Sequence, residues 1–332
     1  MTDESGATHQ FRTTTHTDST ADTAGTAGTA QTAGAASTAG LLTMISNQLG
    51  TQLSQVSPRI PHTPHNLNAP RPPHGSRTPR PPHNRPPTLL LVAHGSRDPR
   101  ALETVSALAD RIRALRPGLT VRLGHIELNE PLLSDALAAL PGGSRAVLVP
   151  LLLSRGHHVK HDIPGAAADA AHLRTRLAAP LGPHPLLAEA LHDRLMEAGW
   201  PRHLSDRARR RGGVVLAAAG SRDPDAAADL RSAAGLLARR LGVPVLAAHG
   251  SAGAPDVAEA LRTFAGRGRT RTAVASYFAA PGRFATRAAA AAQGIAAAPL
   301  GTHPALARLV LHRYDTALAP APHAALPDLA SA

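Results

Sequence analysis

The sequence contains no cysteine, which excludes disulfide bonds, cysteine-ligated zinc or iron–sulfur sites, and a thiol nucleophile. Metal chemistry is therefore left to histidine and carboxylate side chains. Aromatic residues make up only 2% of the 332 residues, so Ala, Leu and Val must fill the core. Few rings are available as platforms on which nucleic-acid bases could stack, and this composition argues against a base-stacking nucleic-acid binder.

Long apolar runs are also missing. No stretch reaches the roughly 18 apolar residues that a membrane-spanning helix needs, so we expect no membrane protein. The N-terminus contains Asp3 and Glu4 and no apolar stretch typical of a secretory signal, which favours the cytoplasm. Lys160 is the single lysine, and the other basic residues are arginines. The formal net charge of +12 predicts attraction to polyanions, either a nucleic acid or a small polycarboxylate.

Composition divides the chain into segments. Residues 1–87 are rich first in Thr, Ala and Gly and then in Pro, and we predict that they are disordered because they offer little apolar surface to bury. Two halves follow, 88–200 and 212–319, separated by an Arg-containing linker, 201–211, and followed by a tail, 320–332. Apolar runs alternate with helical patterns in both halves, which predicts an α/β fold in which each half is a parallel β-sheet flanked by helices.

The first half shows the predicted elements in more detail. The strands are expected at Leu89–Ala93, Thr120–Ile126, Ala146–Leu152 and Ala179–Leu181. The helices are expected at Arg100–Leu115, Pro131–Leu140, Ile163–Leu177 and His184–Ala198.

Two motifs occur in both halves in the same order. His94-Gly-Ser-Arg-Asp-Pro99 is matched by Ala219-Gly-Ser-Arg-Asp-Pro224, and Pro180-Leu-Gly-Pro-His-Pro185 is matched by Pro299-Leu-Gly-Thr-His-Pro304. These matches indicate an internal duplication. Features that both copies share are expected to serve the fold.

The shared residues have ordinary structural interpretations. Asp98 and Asp223 each precede a proline, which is typical of a helix N-cap followed by the first helical residue. Each motif also contains a glycine that permits a tight turn between strand and helix. His184 and His303 occur at matched positions, so we predict a structural role for both.

Three side chains that could bind a metal are present in the first half only. Alignment of the copies places Ala219 opposite His94, Ser251 opposite Glu127 and Phe284 opposite His158. The three first-half residues follow three strands, and ligands of open parallel sheets bind at the carboxyl ends of the strands. Two imidazoles and a carboxylate that converge there could hold a divalent transition metal with open coordination positions.

Four stretches of the first half carry a resemblance to a known family. They are Leu89–Pro99, Ile126–Pro131, Val149–Pro164 and Pro180–Pro185. In this order they resemble the sirohydrochlorin cobalto/ferrochelatases, the class II chelatases. The resemblance implies a chelatase-type α/β fold and the insertion of Fe²⁺ or Co²⁺ into sirohydrochlorin, in sirohaem or cobalamin biosynthesis. The metal would then be a substrate, and no permanent cofactor is expected.

The resemblance also assigns roles. It implies that His94 and His158 ligate the metal or accept pyrrole protons, and that Glu127 contacts the metal. Sirohydrochlorin is a tetrapyrrole with many carboxylates, and the polar and cationic residues that flank these three are candidate substrate-binding residues: Ser96, Arg97, Arg155 and Lys160. The second half lacks all three active-site groups, so one competent site per chain is expected.

The sequence leaves other interpretations open. The main alternative is a tetrapyrrole- or metal-delivery protein that has the same fold but does not catalyse insertion. A histidine phosphatase would need an arginine before its His-Gly motif, where this chain has Ala93. Ligand type does not select among iron, cobalt and nickel. The sequence is compatible with a monomer or a homodimer, although two fused halves could already form the cleft that a one-half protein forms by dimerising.

Overall fold

The computed structural model describes residues 85–320, apart from the side chains of Ser251 and Ala252. The segments predicted as a disordered leader and a tail lie outside the described residues, except for residues 85–87 and 320. Residues 85–87 contact the core, because the Tyr314 hydroxyl donates a hydrogen bond to the Pro87 carbonyl at 2.6 Å. No helix within residues 85–320 is long and apolar enough to span a membrane.

The first half is a four-stranded parallel sheet with helices around it. Its strands are β1 (Thr88–Ala93), β2 (Val121–His125), β3 (Arg145–Pro150) and β4 (Arg174–Leu177), in the spatial order β2-β1-β3-β4. Its helices are α1 (Pro99–Leu115), α2 (Leu133–Ala138), α3 (Ile163–Asp169) and α4 (Pro185–Glu197). A π-helical turn, His158–Asp162, leads directly into α3.

The second half repeats this arrangement. Its strands are β5 (Gly212–Gly220), β6 (Val245–Ala252), β7 (Arg271–Ser276) and β8 (Ile295–Ala296), in the order β6-β5-β7-β8. The helices are α5 (Asp206–Arg211), α6 (Pro224–Leu241), α7 (Val257–Gly266), α8 (Arg283–Ala290) and α9 (Pro304–Leu318). The prediction of two similar parallel-sheet halves is confirmed.

One predicted helix and one predicted strand were wrong. The helix expected at Ile163–Leu177 ends at Asp169, because Ala170 leaves the helical conformation with a ψ of 49°. The fourth strand is Arg174–Leu177 rather than Ala179–Leu181. It is a largely exposed edge strand whose sequence is mostly polar, so it has no apolar run by which it could be recognised.

The segment predicted as a linker also contains structure. Helix α5 forms within it because the Ser205 hydroxyl caps the helix by accepting a hydrogen bond from the Ala208 N–H at 3.3 Å. A short polar helix of this kind has no apolar face that periodicity could show.

The two halves share one hydrophobic core. Buried side chains of the first half, such as Leu89 and Leu191, belong to the same cluster as Val214 and Leu309 of the second half. Helix α9 packs against α1, α4 and β3, and α6 packs against α4. The outer face of each sheet packs against a smaller cluster of its own.

The repeated Gly-Ser-Arg-Asp-Pro motif forms the same turn in both halves. The carboxylates of Asp98 and Asp223 each accept a hydrogen bond from the backbone N–H two residues further on, and a proline begins each helix. Gly95 and Gly220 have φ values of 100° and 95°, which favour glycine. The predicted caps and tight turns are confirmed.

His184 and His303 also have matching roles. The Nδ1 atom of His184 accepts a hydrogen bond from the Leu186 N–H at 3.1 Å, and that of His303 accepts one from the Ala305 N–H at 3.2 Å. Each imidazole therefore caps the helix that follows it, α4 or α9. The structural role predicted for this pair is confirmed.

Candidate active site

A cleft of about 1340 Å³ lies between the two halves, at the carboxyl ends of their strands. The first-half wall is formed by the segments after β1, β2 and β3. The second-half wall is formed by the end of β5, one residue of β6, the start of α6, the segment after β7 and part of α8. The strand ends of both sheets therefore face one shared space, as expected for ligand binding in open parallel sheets.

His94, His158 and Glu127 converge on the first-half wall. The rings of His94 and His158 have centroids 4.7 Å apart and are perpendicular to each other. Nδ1 of His94 lies 3.4 Å from a carboxylate oxygen of Glu127. The convergence follows from the strand order, because β1 lies between β2 and β3 and the three residues follow these strands.

The three side chains are accessible from the cleft. The side chains of His94 and Glu127 are 46% and 51% exposed, and that of His158 is 33% exposed. Within residues 85–320, no three His, Asp or Glu side chains form a ready-made metal-binding group. The arrangement is therefore an open pair of imidazoles with an adjacent carboxylate, and the prediction that the three ligate a metal stays a prediction.

Two further residues hold this group in place, and the sequence pattern did not single them out. A carboxylate oxygen of Asp162 lies 2.5 Å from Nδ1 of His158, which leaves Nε2 as the nitrogen that can meet a ligand. The side-chain oxygen of Asn129 accepts a hydrogen bond from the Ser96 N–H at 2.7 Å and so ties the segment after β2 to the segment after β1. The four-residue spacing of His158 and Asp162 is a signal only once that stretch is known to be helical.

The candidate substrate-binding residues fall into two groups. Ser96 and Arg97 line the cleft. Arg155 and Lys160 do not: Arg155 forms an ion pair with Asp229 of α6, and Lys160 forms ion pairs with two aspartates at the start of α6. Their charges are already matched by carboxylates of the second half, so of the four predicted residues only Ser96 and Arg97 are placed to meet a ligand in the cleft.

The second-half wall is largely apolar at the positions where the first-half wall has its two imidazoles. Ala219 and Phe284, the residues aligned with His94 and His158, both line the cleft. His249 also lines it and corresponds to His125, since the two pair with Ala218 and Ala93 in equivalent registers. Burial lowers the pKa of both imidazoles.

Cations line both walls. Arg97 lies on the first-half wall, and Arg283 and Arg287 lie on the second-half wall, one helical turn apart on α8. The Arg283 guanidinium lies 4.9 Å from the centroid of the Phe284 ring. None of the three arginines forms an ion pair with another residue in the described part of the chain. Sequence alone did not mark the two α8 arginines, because arginine is common throughout the chain.

Comparison with known protein families decides the classification. The CbiX family model matches the chain twice, over residues 88–198 and 213–317. The chain belongs to the CbiX family. Because the two matches fall on the two sheets, the internal duplication predicted from the repeated motifs is confirmed, and this CbiX-family chain carries two copies of the family's domain.

Relatives of this CbiX-family chain include enzymes named for two metals. A sirohydrochlorin cobaltochelatase of Methanosarcina acetivorans is 32% identical over 123 residues, which cover 33% of this chain and 95% of the relative. A sirohydrochlorin ferrochelatase of Bacillus subtilis is 31% identical over 155 residues, which cover 45% of this chain and 57% of the relative. The resemblance to sirohydrochlorin chelatases inferred from the motifs is confirmed.

Solved structures share the CbiX-type fold. SirB from Bacillus subtilis, determined with Fe³⁺, has a TM-score of 0.57 at 24% identity and covers 70% of this chain and 95% of its own. CbiX described as the terminal enzyme for biosynthesis of sirohaem in denitrifying bacteria has a TM-score of 0.53 at 22% identity and covers 70% of this chain and 100% of its own. At these identities the comparisons show the fold, and they confirm the predicted chelatase-type architecture.

Proposed function

We propose that this protein is a sirohydrochlorin chelatase, a lyase-type enzyme that inserts Fe²⁺ or Co²⁺ into sirohydrochlorin. The observation that carries the proposal is the pair of imidazoles, His94 and His158, whose ring centroids lie 4.7 Å apart on the wall of a large cleft. The names of the relatives support the same substrate. The metal is a substrate of the reaction, and the proposal needs no resident cofactor.

Metal insertion requires two events at the centre of the macrocycle. The cation must lose bound water, and two pyrrole N–H protons must leave as the metal takes their place. A neutral imidazole can either ligate the cation or accept a proton, with an ordinary pKa of about 6.5. His94 and His158 are close enough to act on one metal ion and one macrocycle centre.

Glu127 and Asp162 complete the proton path and the geometry. Glu127 lies 3.4 Å from Nδ1 of His94 and is half exposed, so it can take a proton from His94 and release it to water. Asp162 holds Nδ1 of His158 at 2.5 Å, which fixes the orientation of that ring and directs Nε2 to its ligand.

The shape and charge of the cleft suit a large polycarboxylate. Ala219 and Phe284 give the second-half wall an apolar surface on which a macrocycle face can pack. Arg97, Arg283 and Arg287 carry charges that are free to pair with the peripheral carboxylates. The macrocycle then lies between the halves, with its central nitrogens turned towards the two imidazoles.

The proposal is tested by anaerobic incubation of the full chain with sirohydrochlorin and Fe²⁺, Co²⁺ or Ni²⁺, with metallation followed by absorbance. We expect His94→Ala and His158→Ala each to lower the rate by at least ~100-fold, the lower end for loss of a positioned acid–base group. The matched control is His161→Ala, because His161 is exposed, lies three residues from His158 and does not line the cleft.

Two outcomes would contradict the proposal. If the wild-type protein binds sirohydrochlorin but metallation is no faster than the spontaneous reaction, the chain is a delivery protein rather than an enzyme. If His161→Ala and His94→Ala reduce the rate equally, the imidazole pair is not the reacting centre.

A further inference from the structure

The segment that carries His158 is held in place by the second half. We call residues 153–162 the His158 loop. Tyr277 directly follows β7, and its hydroxyl donates a hydrogen bond to the Leu153 carbonyl at 3.0 Å. Further along the loop, Arg155 pairs with Asp229, and the Lys160 ammonium lies 2.7 Å from a carboxylate oxygen of Asp223. These contacts join the active half to the half that lacks active-site groups.

Asp229 makes the most extensive of these contacts. It is only 3% exposed, and one of its oxygens accepts a hydrogen bond from the Arg155 backbone N–H at 2.8 Å. Both oxygens also accept hydrogen bonds from the Arg155 guanidinium, the shortest at 2.7 Å. A bidentate carboxylate–guanidinium pair with an added backbone bond fixes position as well as charge. The backbone is thereby fixed three residues before His158.

The second half holds the loop of the first half through this ion pair, but the first half has no matching pair that holds the loop of the second half. Asp229 lies five residues after Pro224 at the start of α6, and the corresponding residue of α1 is Thr104. Arg155 lies three residues before His158, and the corresponding residue before Phe284 is Pro281. The second-half loop therefore has no equivalent pair, and the contact accompanies the loop that bears the active-site imidazole.

We propose that Asp229 is a positioning residue that holds His158 opposite His94, so that the second half of the chain serves as the built-in support of the active half. This inference rests on the proposed chelatase function. Asp229 does not line the cleft and so acts through Arg155 rather than on the substrate. Displacement of a reacting group by about 1 Å can cost as much as 100-fold in rate, which sets the scale of the effect.

The test is the variant Asp229→Asn in the full chain. We expect kcat for metallation to fall by about 10- to 100-fold, with little change in KM for sirohydrochlorin, because Arg97, Arg283 and Arg287, the proposed carboxylate-binding residues, lie outside the His158 loop. The matched control is Asp315→Asn. It removes another bidentate pair between the halves, that of Arg116 with Asp315, at a site outside the cleft. The control should leave kcat unchanged.

A second measurement separates this inference from the proposed function. Ring resonances of His158 in NMR spectra, assigned through His158→Ala, report its placement without any turnover. Asp229→Asn should shift or broaden the His158 resonances and leave those of His184 in place, whereas Asp315→Asn should change neither. If the wild-type protein shows no turnover but the His158 resonances respond in this way, the proposed function fails and the positioning role stands.

A second, more conservative variant tests the proposal in case Asp229→Asn does not fold. Arg155→Lys keeps the backbone N–H that bonds to Asp229 and keeps one positive charge, but it loses the bidentate geometry. It should give a smaller loss of kcat than Asp229→Asn. If Asp229→Asn folds and keeps the wild-type kcat and His158 resonances, the proposal is overturned. If Asp229→Asn does not fold, the same result in Arg155→Lys overturns it.

Discussion

Gly95 shows how one residue fixes the distance between two functional groups. Its backbone φ of 100° is rarely adopted by residues other than glycine, and a Cβ at this position would lie 1.8 Å from the Glu127 carbonyl oxygen. The absence of a side chain lets the segment after β2 pass directly against the turn after β1. Because of this close approach, the Glu127 carboxylate reaches His94.

We therefore predict that Gly95→Ala lowers the metallation rate at least ~10-fold and destabilises the protein by more than the left-handed backbone cost of about 1–2 kcal/mol. The control is Gly118→Ala, since Gly118 has a φ of 87° but a methyl group added there would meet nothing within 4 Å. Denaturant unfolding and the absorbance assay measure the two effects. Equal losses of stability in the two variants would show that the contact with Glu127 is unimportant.

The residues of the site differ in how visible they are in the sequence. His94, Glu127 and His158 could be identified because the second copy lacks them, which separates chemistry from fold within one chain. Asp229 is 74 residues away from Arg155 in the sequence, and no local pattern pairs the two. A contact between the two halves, such as this one, cannot be predicted from the sequence until the packing of the halves is known.

At the scale of elements, α8 supplies the cationic part of the second-half wall. Arg283 and Arg287 lie one turn apart on this helix and both line the cleft. Phe284, between them in sequence, replaces the imidazole of the first half. In the proposed enzyme, α8 therefore contacts the substrate, whereas the corresponding segment of the first half, which contains His158, acts on the metal.

We predict that Arg287→Gln raises KM for sirohydrochlorin by about 3- to 10-fold with little change in kcat, the effect expected from losing roughly 1 kcal/mol of an exposed charge pair. Because salt screens exposed charges, the difference from wild type should shrink as ionic strength rises. Arg262→Gln is the control, since Arg262 is exposed on α7 outside the cleft. A comparable rise in KM for both variants would mean that net charge, rather than the α8 position, matters.

The elements themselves were predictable to different degrees. Buried strands such as β1 and β3 were placed to within two residues, because both of their faces are covered and their sequences are apolar after the first residue. The edge strand β4 was misplaced, since its exposed Arg-Thr-Arg-Leu sequence gives no apolar signal. The π-helical turn at His158–Asp162 was also not foreseen, because it buries no side chain.

At the scale of the whole molecule, the two copies of the domain contribute different residues to the cleft. The first half carries the imidazole pair, and the second half contributes the apolar and cationic wall and holds the His158 loop. The shared hydrophobic core joins the halves, so a substitution where the halves pack together can alter the geometry of the site even though the substituted residue does not contact it. One chain can therefore form a cleft in which only one wall carries the imidazole pair.

The shared histidines predict how the whole molecule responds to acid. Burial lowers the pKa of four imidazoles that form two matched pairs: His125, His249, His184 and His303. Asp193 lies 3.4 Å from His303 and opposes the effect there only in part. The Nδ1 atoms of His184 and His303 accept backbone hydrogen bonds, which protonated imidazoles cannot do.

The sign of the pH dependence follows from these shifts. A histidine whose pKa is lower in the folded protein than its unfolded value of about 6.5 binds protons more readily when unfolded. Its contribution to stability is therefore fully present above about pH 6.5 and is lost as the pH falls towards the folded pKa. We predict that the free energy of unfolding, measured with denaturant, decreases between pH 7.5 and pH 5.5, before most carboxylates titrate.

The double variant His184→Asn, His303→Asn tests the origin of this decrease. Asparagine is a good helix N-cap that does not titrate in this range, so both caps are kept while two of the four proton-linked groups are removed. The variant should show a clearly shallower loss of stability between pH 7.5 and pH 5.5, whereas His161→Asn, at an exposed position, should follow the wild type. If the double variant loses stability as steeply as the wild type, the buried helix caps are not the acid-sensitive groups, and His125 and His249 beside the cleft become the groups to substitute next.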